Sequence, residues 1–170
     1  MKNWYLLTLN STYLNRITVE LARMGVEFFS PSRSKLRKRP DRPSFIKSEL
    51  PLFPGYLFLN FDPEEVHTTQ ITAIIGAHGF VRFAGDPCII RDPVIDAIRN
   101  ILLIRFGNEL NSVQYRNLDT DVEQALHKIM DLDSSPARIS AFCKLIQDHS
   151  LSASHFVPQA RKGVFKPPAI

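Results

Sequence analysis

The sequence predicts an α+β fold: one antiparallel sheet flanked by helices, followed by a helical C-terminal appendage. Three observations predict it. Short apolar runs of strand length alternate with helical stripes through residues 1–106. The run "LFPGYLFLNF", residues 52–61, is apolar at successive positions, which fits a strand covered on both faces. After Gly107 only one further glycine follows, Gly163, and no alternating run appears, whereas two capped helical stripes do.

In chain order, "WYLLTL" (4–9) is a buried first strand, rich in aromatic and aliphatic residues. "NST" supplies turn and N-cap chemistry for a helix over 13–24, where Leu14, Ile17, Leu21 and Met24 form one stripe. Gly25 ends that helix, and "VEFFSP" is the second strand. The basic stretch that follows, with Pro31, Pro40 and Pro43, makes a poor helix and a poor central strand; it is a loop or the tip of a hairpin arm. Alternation along the next strand sends Phe53, Leu57 and Leu59 to one face and Leu52, Tyr56, Phe58 and Asn60 to the other. A short helix is expected from Pro63, with Glu64 and Glu65 suited to its positive end. "GAHGFVRFAGDPCIIR" gives two short strands joined by Ala84-Gly85-Asp86-Pro87, and Asp92-Pro93 opens a helix whose face is Val94, Ile95, Ile98, Ile101 and Leu102.

The domain therefore spans 1–106, with a polar linker over 107–118, a helical hairpin over 119–150 and a loosely held tail over 151–170. Val122, Ala125, Leu126, Ile129 and Met130 line the first helix of the hairpin; Ile139, Phe142, Cys143 and Ile146 line the second. Each stripe needs a partner: the other helix, or the domain.

Composition narrows the function classes. A hydrophobic content of 44% and a charged content of 22% predict a packed core. No apolar run approaches the roughly 20 residues of a membrane span, so no membrane partner is expected. Two cysteines far apart in sequence, without metal spacing, point to a reduced cytoplasmic protein. The five histidines do not pair at ligand spacing, and no phosphate-binding glycine loop or nucleophile elbow is present. No cofactor, no metal and no catalytic residue are expected. Asp62, Glu64, Glu65 and His67 lie close enough to resemble an acid/base cluster, but an acid-rich first helical turn explains them better.

The net charge of +4 is unevenly spread: residues 33–42 hold six basic residues and one acid. Such a run is either a solvated face or a phosphate-tracking arm, since phosphate binding depends on local charge density. Arg33, Lys35, Arg37, Lys38 and Arg39 are its candidate DNA contacts. Tyr13 and Arg16, three apart on the first helix, can add a stacking and a phosphate contact.

"NWYLLTLNS", "LFPGYLFLNFDPEEVHTT" and "GFVRFAGDPCII" followed by "PVIDAI" resemble, in order and spacing, the N-terminal (NGN) domain of NusG-type transcription elongation factors, most closely its RfaH-like branch. The resemblance covers about residues 1–100. It implies a monomeric elongation and antitermination factor that binds bacterial RNA polymerase beside the non-template single-stranded DNA and suppresses pausing. Phe53, Pro54, Tyr56 and Phe83 would then meet the polymerase clamp helices, and His67, Thr68 and Thr69 the opposing gate loop.

The chain departs from the RfaH-like pattern in two places. Arg16 agrees with the pattern, but Asn10 stands where a lysine is expected and Ile74-Ile75 replace a Thr-Arg pair. The chain either reads another sequence, with Tyr13 and the basic arm, or binds DNA non-specifically; Asn10, Tyr13 and Arg16 are DNA-binding candidates in both cases. The glycine-punctuated KOW β-barrel that normally ends the family has no counterpart after Gly107. The helical appendage either masks the clamp-binding patch or only pads the domain. Two other classes stay open on residues alone: a nucleic-acid module without polymerase contact, and a small phosphotransfer or nuclease enzyme using Asp62–His67.

Overall fold

The computed structural model describes residues 1–106 and 120–154. The expected linker and most of the expected tail lie outside the described residues, as do the side chains of Ile101 and Leu102.

The main sheet is antiparallel, in the order β2 (Glu27–Phe29), β5 (Tyr56–Phe61), β1 (Asn3–Leu9), β6 (Ala77–Phe80), with β9 (Ile89–Ile90) also paired to β1. β1 and β5 run side by side from Asn3 opposite Phe61 to Thr8 opposite Tyr56. As neighbours at the centre of the sheet, they bury both of their faces. Tyr5, Leu7, Leu9, Leu57, Leu59 and Phe61 form one core with Ile17 and Leu21 of α1 (Leu14–Arg23) and Ile71 of α2 (Thr68–Thr72). Trp4, Leu6, Phe58 and Ile90 form the other with Val94, Ile95 and Ile98 of α3 (Asp92–Phe106).

That second core continues into the appendage. The helices α4 (Thr120–Asp131) and α5 (Ser135–Ser154) add Val122, Leu126, Ile129, Met130, Phe142 and Ile146 to it. The expected hairpin is thus present as two helices docked on the domain, its second helix running beyond residue 150 to Ser154.

The basic stretch forms a hairpin and not an irregular loop. Its strands β3 (Ser32–Lys38) and β4 (Phe45–Pro51) pair only with each other, from Ser32 opposite Pro51 to Lys38 opposite Phe45. Its prolines stand outside the paired centre, at 31, 40, 43 and 51. The region after Phe80 folds as a two-residue hairpin, β7 (Arg82–Phe83) with β8 (Asp86–Pro87), turning at Ala84 and Gly85.

Two expectations are corrected. The helix expected from Pro63 begins instead at Thr68. Asp62 diverts the chain first: its carboxylate accepts from the Glu64 amide at 3.0 Å and pairs with the terminal ammonium of Met1, while its carbonyl accepts from the amides of Glu65 and Val66. Glu64 and Glu65 therefore stand in a turn, not at a helix end. The second correction is the facing of Phe53. Alternation sets it opposite Phe58, yet both rings belong to the same core, 6.1 Å apart. Residues 53–55 are a turn in which Gly55 takes a φ of 80°, so the two-residue period does not carry across it.

Candidate functional site

The turn Phe53-Pro54-Gly55-Tyr56 is held from three sides. The Leu52 amide donates to the Pro31 carbonyl at 2.8 Å, and the Leu9 amide donates to Gly55 at 2.9 Å. Tyr56 closes the turn by donating its amide to Phe53 at 3.2 Å. Gly55 is required by its left-handed backbone.

This turn delivers Phe53 and Tyr56 to one apolar cluster, which Phe83 joins from β7. Three of the four residues expected at the clamp-binding patch therefore belong to or border one core; Pro54 is in the turn itself, half-buried. Their exposure differs from the expectation of a surface patch. Phe53 is only 3% exposed, because the ring of Phe142 on α5 lies 4.9 Å from it. Phe142 also meets Phe58 edge-on at 5.7 Å, completing a three-ring contact between domain and appendage. Tyr56 and Phe83 remain half-buried at its margin. Burial raises the Tyr56 phenol above its ordinary value, and Cys143 on α5 acts in the same direction.

Arg138 completes this boundary. Its side chain is fully buried, and its guanidinium donates to oxygens on both sides. Nε reaches the Leu52 carbonyl at 3.1 Å, directly before the turn. Nη1 donates to the carbonyls of Leu132 and Asp133, in the turn after α4, and Nη2 to the Ser135 hydroxyl at 2.7 Å. Burial lowers its pKa, as does nearby Arg33, while Asp133 opposes the shift. Sequence reasoning missed this residue. The available signal was position: Arg138 falls one turn before Phe142 and two before Ile146, on the buried stripe of α5.

The His67-Thr68-Thr69 motif lies at the start of α2, whose Ile71 packs into the opposite core. His67 is the N-cap: its Nδ1 accepts from the Thr69 amide at 3.3 Å and lies 2.8 Å from the Thr69 hydroxyl. An accepting Nδ1 leaves Nε2 to carry the proton. His67 and Thr69 are exposed. The clamp and gate-loop candidates are thus on elements that close different faces of the sheet.

The candidate DNA contacts separate into two groups. Asn10 caps the turn before α1, its Oδ1 accepting from the Thr12 amide at 3.0 Å, and its own amide donates to the Gly76 carbonyl. Tyr13 lies against Gly76 so closely that a Cβ there would stand 2.4 Å from the Tyr13 Cβ. Tyr13, Arg16 and Ile75 are exposed, whereas Ile74 is core. The second group is on the β3–β4 arm, which packs toward α3. Lys38 and Arg39 are exposed and Arg33 is half-buried; the side chains of residues 34–37 lie outside the described ones.

The acidic cluster does not assemble as chemistry. The Met1 ammonium lowers the Asp62 carboxyl below its usual range, and His67 is engaged as a cap. Among the described residues, no group of three or more His, Cys, Asp or Glu can hold a metal ion. Among them too, no helix is long and apolar enough to cross a membrane.

A family model described as the transcription termination factor NusG matches residues 2–99, the span of the sheet with α1, α2 and the start of α3. The chain belongs to the NusG family. NusG proteins are transcription factors of the elongation and termination phase, not enzymes, and they bind RNA polymerase. A solved structure titled "Domain interaction in Thermotoga maritima NusG" is similar at 22% identity and a TM-score of 0.43, covering 70% of this chain and 68% of that one. Family membership rests on the first match. The α+β architecture is that of the NusG N-terminal domain, and no closed barrel accompanies it among the described residues.

Proposed function

We propose that this NusG-family chain is an RfaH-like elongation and antitermination factor whose polymerase-binding patch is covered by its own C-terminal helices. The observation that carries the reading is the convergence of Phe53, Tyr56 and Phe83 on one apolar cluster beneath Phe142. In this reading the four residues Phe53, Pro54, Tyr56 and Phe83 meet the clamp helices of bacterial RNA polymerase once α4–α5 has left. His67, Thr68 and Thr69 touch the gate loop from the other side, with the outward Nε2–H of His67 as a donor. The protein acts in the cytoplasm, as a monomer, without a cofactor.

The DNA contacts follow the two groups. Asn10, Tyr13 and Arg16 face the non-template strand, Tyr13 as a stacking surface for an unpaired base. Arg33, Lys35, Arg37, Lys38 and Arg39 add phosphate contacts along the arm. Exposed Ile75, in place of a hydrogen-bonding side chain, favours apolar over polar contact with a base at that point.

The test is transcription in vitro on a long template with core RNA polymerase and the full chain, with pauses mapped. Pause suppression is expected, and replacing His67, Thr68 and Thr69 together by alanine should abolish it while polymerase still binds. Tyr56→Ala should instead weaken binding itself, by about 2 kcal/mol for a buried interface aromatic. DNA binding without polymerase capture under any condition would leave only the basic-arm reading, a nucleic-acid module.

A further inference from the structure

The β3–β4 arm ends in a loop with the sequence Arg39-Pro40-Asp41-Arg42-Pro43-Ser44. Two hydrogen bonds shape it. The Arg39 amide donates to the Ser44 carbonyl at 2.9 Å and closes the loop directly beyond the paired Lys38 and Phe45. The Ser44 amide donates to the Arg42 carbonyl at 2.7 Å, a three-residue turn centred on Pro43, whose ring fixes the φ that such a turn needs. Each arginine stands directly before a proline, which biases it to extended backbone and stiffens the loop. Every residue from Lys38 to Ser44 is exposed. Lys38, Arg39 and Arg42 are opposed there by a single acid, Asp41.

The ribbon behind this loop has seven residues in each strand, about 20 Å, and pairs with no other strand. From Ser32 to Ser44 the arm has no aromatic residue, so it offers an unpaired base nothing to stack on. What it offers is a narrow, stiff, cationic end edged by proline rings. Duplex DNA has a feature to match. Its minor groove is about 6 Å wide, and the negative potential there is enhanced along A·T tracts. A guanidinium, more weakly hydrated than an ammonium, enters such a groove at lower cost, and apolar side chains can wedge beside it.

We propose that the arm is a duplex-DNA contact whose Arg39–Ser44 loop enters the minor groove at A·T-rich sequence. Arg39 and Arg42 reach into the groove, and Pro40 and Pro43 rest on its walls. Arg42 thereby joins the arm's contacts. The assignment rests on the arm being a DNA contact; polymerase binding and the covered patch do not enter it. The two groups of DNA residues then divide the substrate: Tyr13 stacks an unpaired base, while the arm takes paired DNA.

The experiment measures the fluorescence anisotropy of labelled DNA with the full chain, without polymerase and at physiological salt. The probes are a duplex with a central A·T tract, a G·C-rich duplex of equal length, and an unpaired strand. The A·T duplex should bind about tenfold tighter than the G·C duplex, and netropsin, which fills the A·T minor groove, should displace the chain from it. Arg39→Ala with Arg42→Ala should weaken the A·T duplex about tenfold and leave the unpaired strand bound as before. Arg39→Lys with Arg42→Lys keeps the charge yet should lose most of the A·T preference. Equal binding to the two duplexes, indifference to netropsin, or a double-lysine variant equal to the parent overturns groove entry while leaving the arm as a phosphate contact. Equal losses on duplex and unpaired strand in the double-alanine variant make the arm a single-strand contact and also overturn the proposal. A double-alanine variant that binds every probe like the parent overturns the arm's part in DNA binding as well.

Discussion

On one face of the sheet, α1 and α2 arrive by short connections, residues 10–13 and 62–67, and bury Ile17, Leu21 and Ile71 completely. On the other, α4 and α5 follow α3 only after residues 107–119, and they meet the domain through ring contacts and a buried arginine. Both faces hold fully buried aliphatic side chains and a partly covered margin: Leu14, Met24, Val66 and Ala77 on the first. On the second the margin is Phe29, Tyr56, Val81 and Phe83 with Ile139, Ala141 and Leu145 of α5, so it alone is rich in aromatic rings. A local connection makes a helix part of the domain, because its separation would break the core that folds the sheet. A remote connection makes the helix pair separable, since α3 still covers Trp4, Leu6 and Ile90 when the pair departs. The difference is one of cooperativity more than of area.

The sharpest way to break that comparison is to remove one large side chain from each face. Phe142→Ala deletes the ring between Phe53 and Phe58 and should cost about 3–5 kcal/mol. The loss should appear as faster amide exchange in α4 and α5, with α1 still protected, and as tighter polymerase capture. Leu57→Ala, on the other face, should cost about 2–5 kcal/mol and lower the stability of the whole domain without improving capture. Equal loss of protection across α1 and α5 in the Phe142 variant would make the two faces one cooperative unit.

A smaller effect is expected from Arg138→Met. The thioether fills part of the space, but the carbonyls of Leu52, Leu132 and Asp133 lose their donor. Each buried acceptor left unsatisfied costs about 1–3 kcal/mol, offset wherever water enters. Amide exchange should rise first at the turn between α4 and α5 and at Leu52, then along α5. A variant as protected as the parent would show that the arginine only fills space.

The same contrast explains what the sequence revealed. The α1 face was legible because its pattern is local: Asn10 caps, Ile17 and Leu21 repeat at helical spacing, and β5 is apolar on both sides. The stripes of α4 and α5 were legible for the same reason. What lay against them was not, since Phe142 on Phe53 and Arg138 on Leu52 are contacts 86 or more residues apart in the chain. Period-two reasoning failed at Phe53 because Gly55 turns the chain. The α2 start was misplaced because Asp62 bonds the chain terminus and its own turn, which made a pair of glutamates look like a helix end. From sequence, masking of the Phe53–Tyr56 turn is one of two alternatives for the appendage, and only the long-range contacts show that α5 covers Phe53.

The finest effect is a pH dependence confined to the second face. Tyr56 and Cys143 both have pKa values raised by burial, from ordinary values of 10.0 and 9.0. The closed arrangement therefore holds protons that an opened one releases. Its stabilisation is complete below the ordinary values and falls as pH rises through them toward the raised ones. A tenfold tighter hold on one proton corresponds to about 1.4 kcal/mol, and partial exposure of both groups reduces what closure gains. Trp4, the only tryptophan, belongs to this core and reports its opening by fluorescence. With urea as denaturant, the Trp4 midpoint should fall above about pH 9, where the thiol begins to titrate. In Cys143→Ser the fall should begin at about pH 10, where the phenol begins. Coincident curves for the two proteins would mean that Cys143 does not feel the closure of α5, and the second face would lose its pH-sensitive margin.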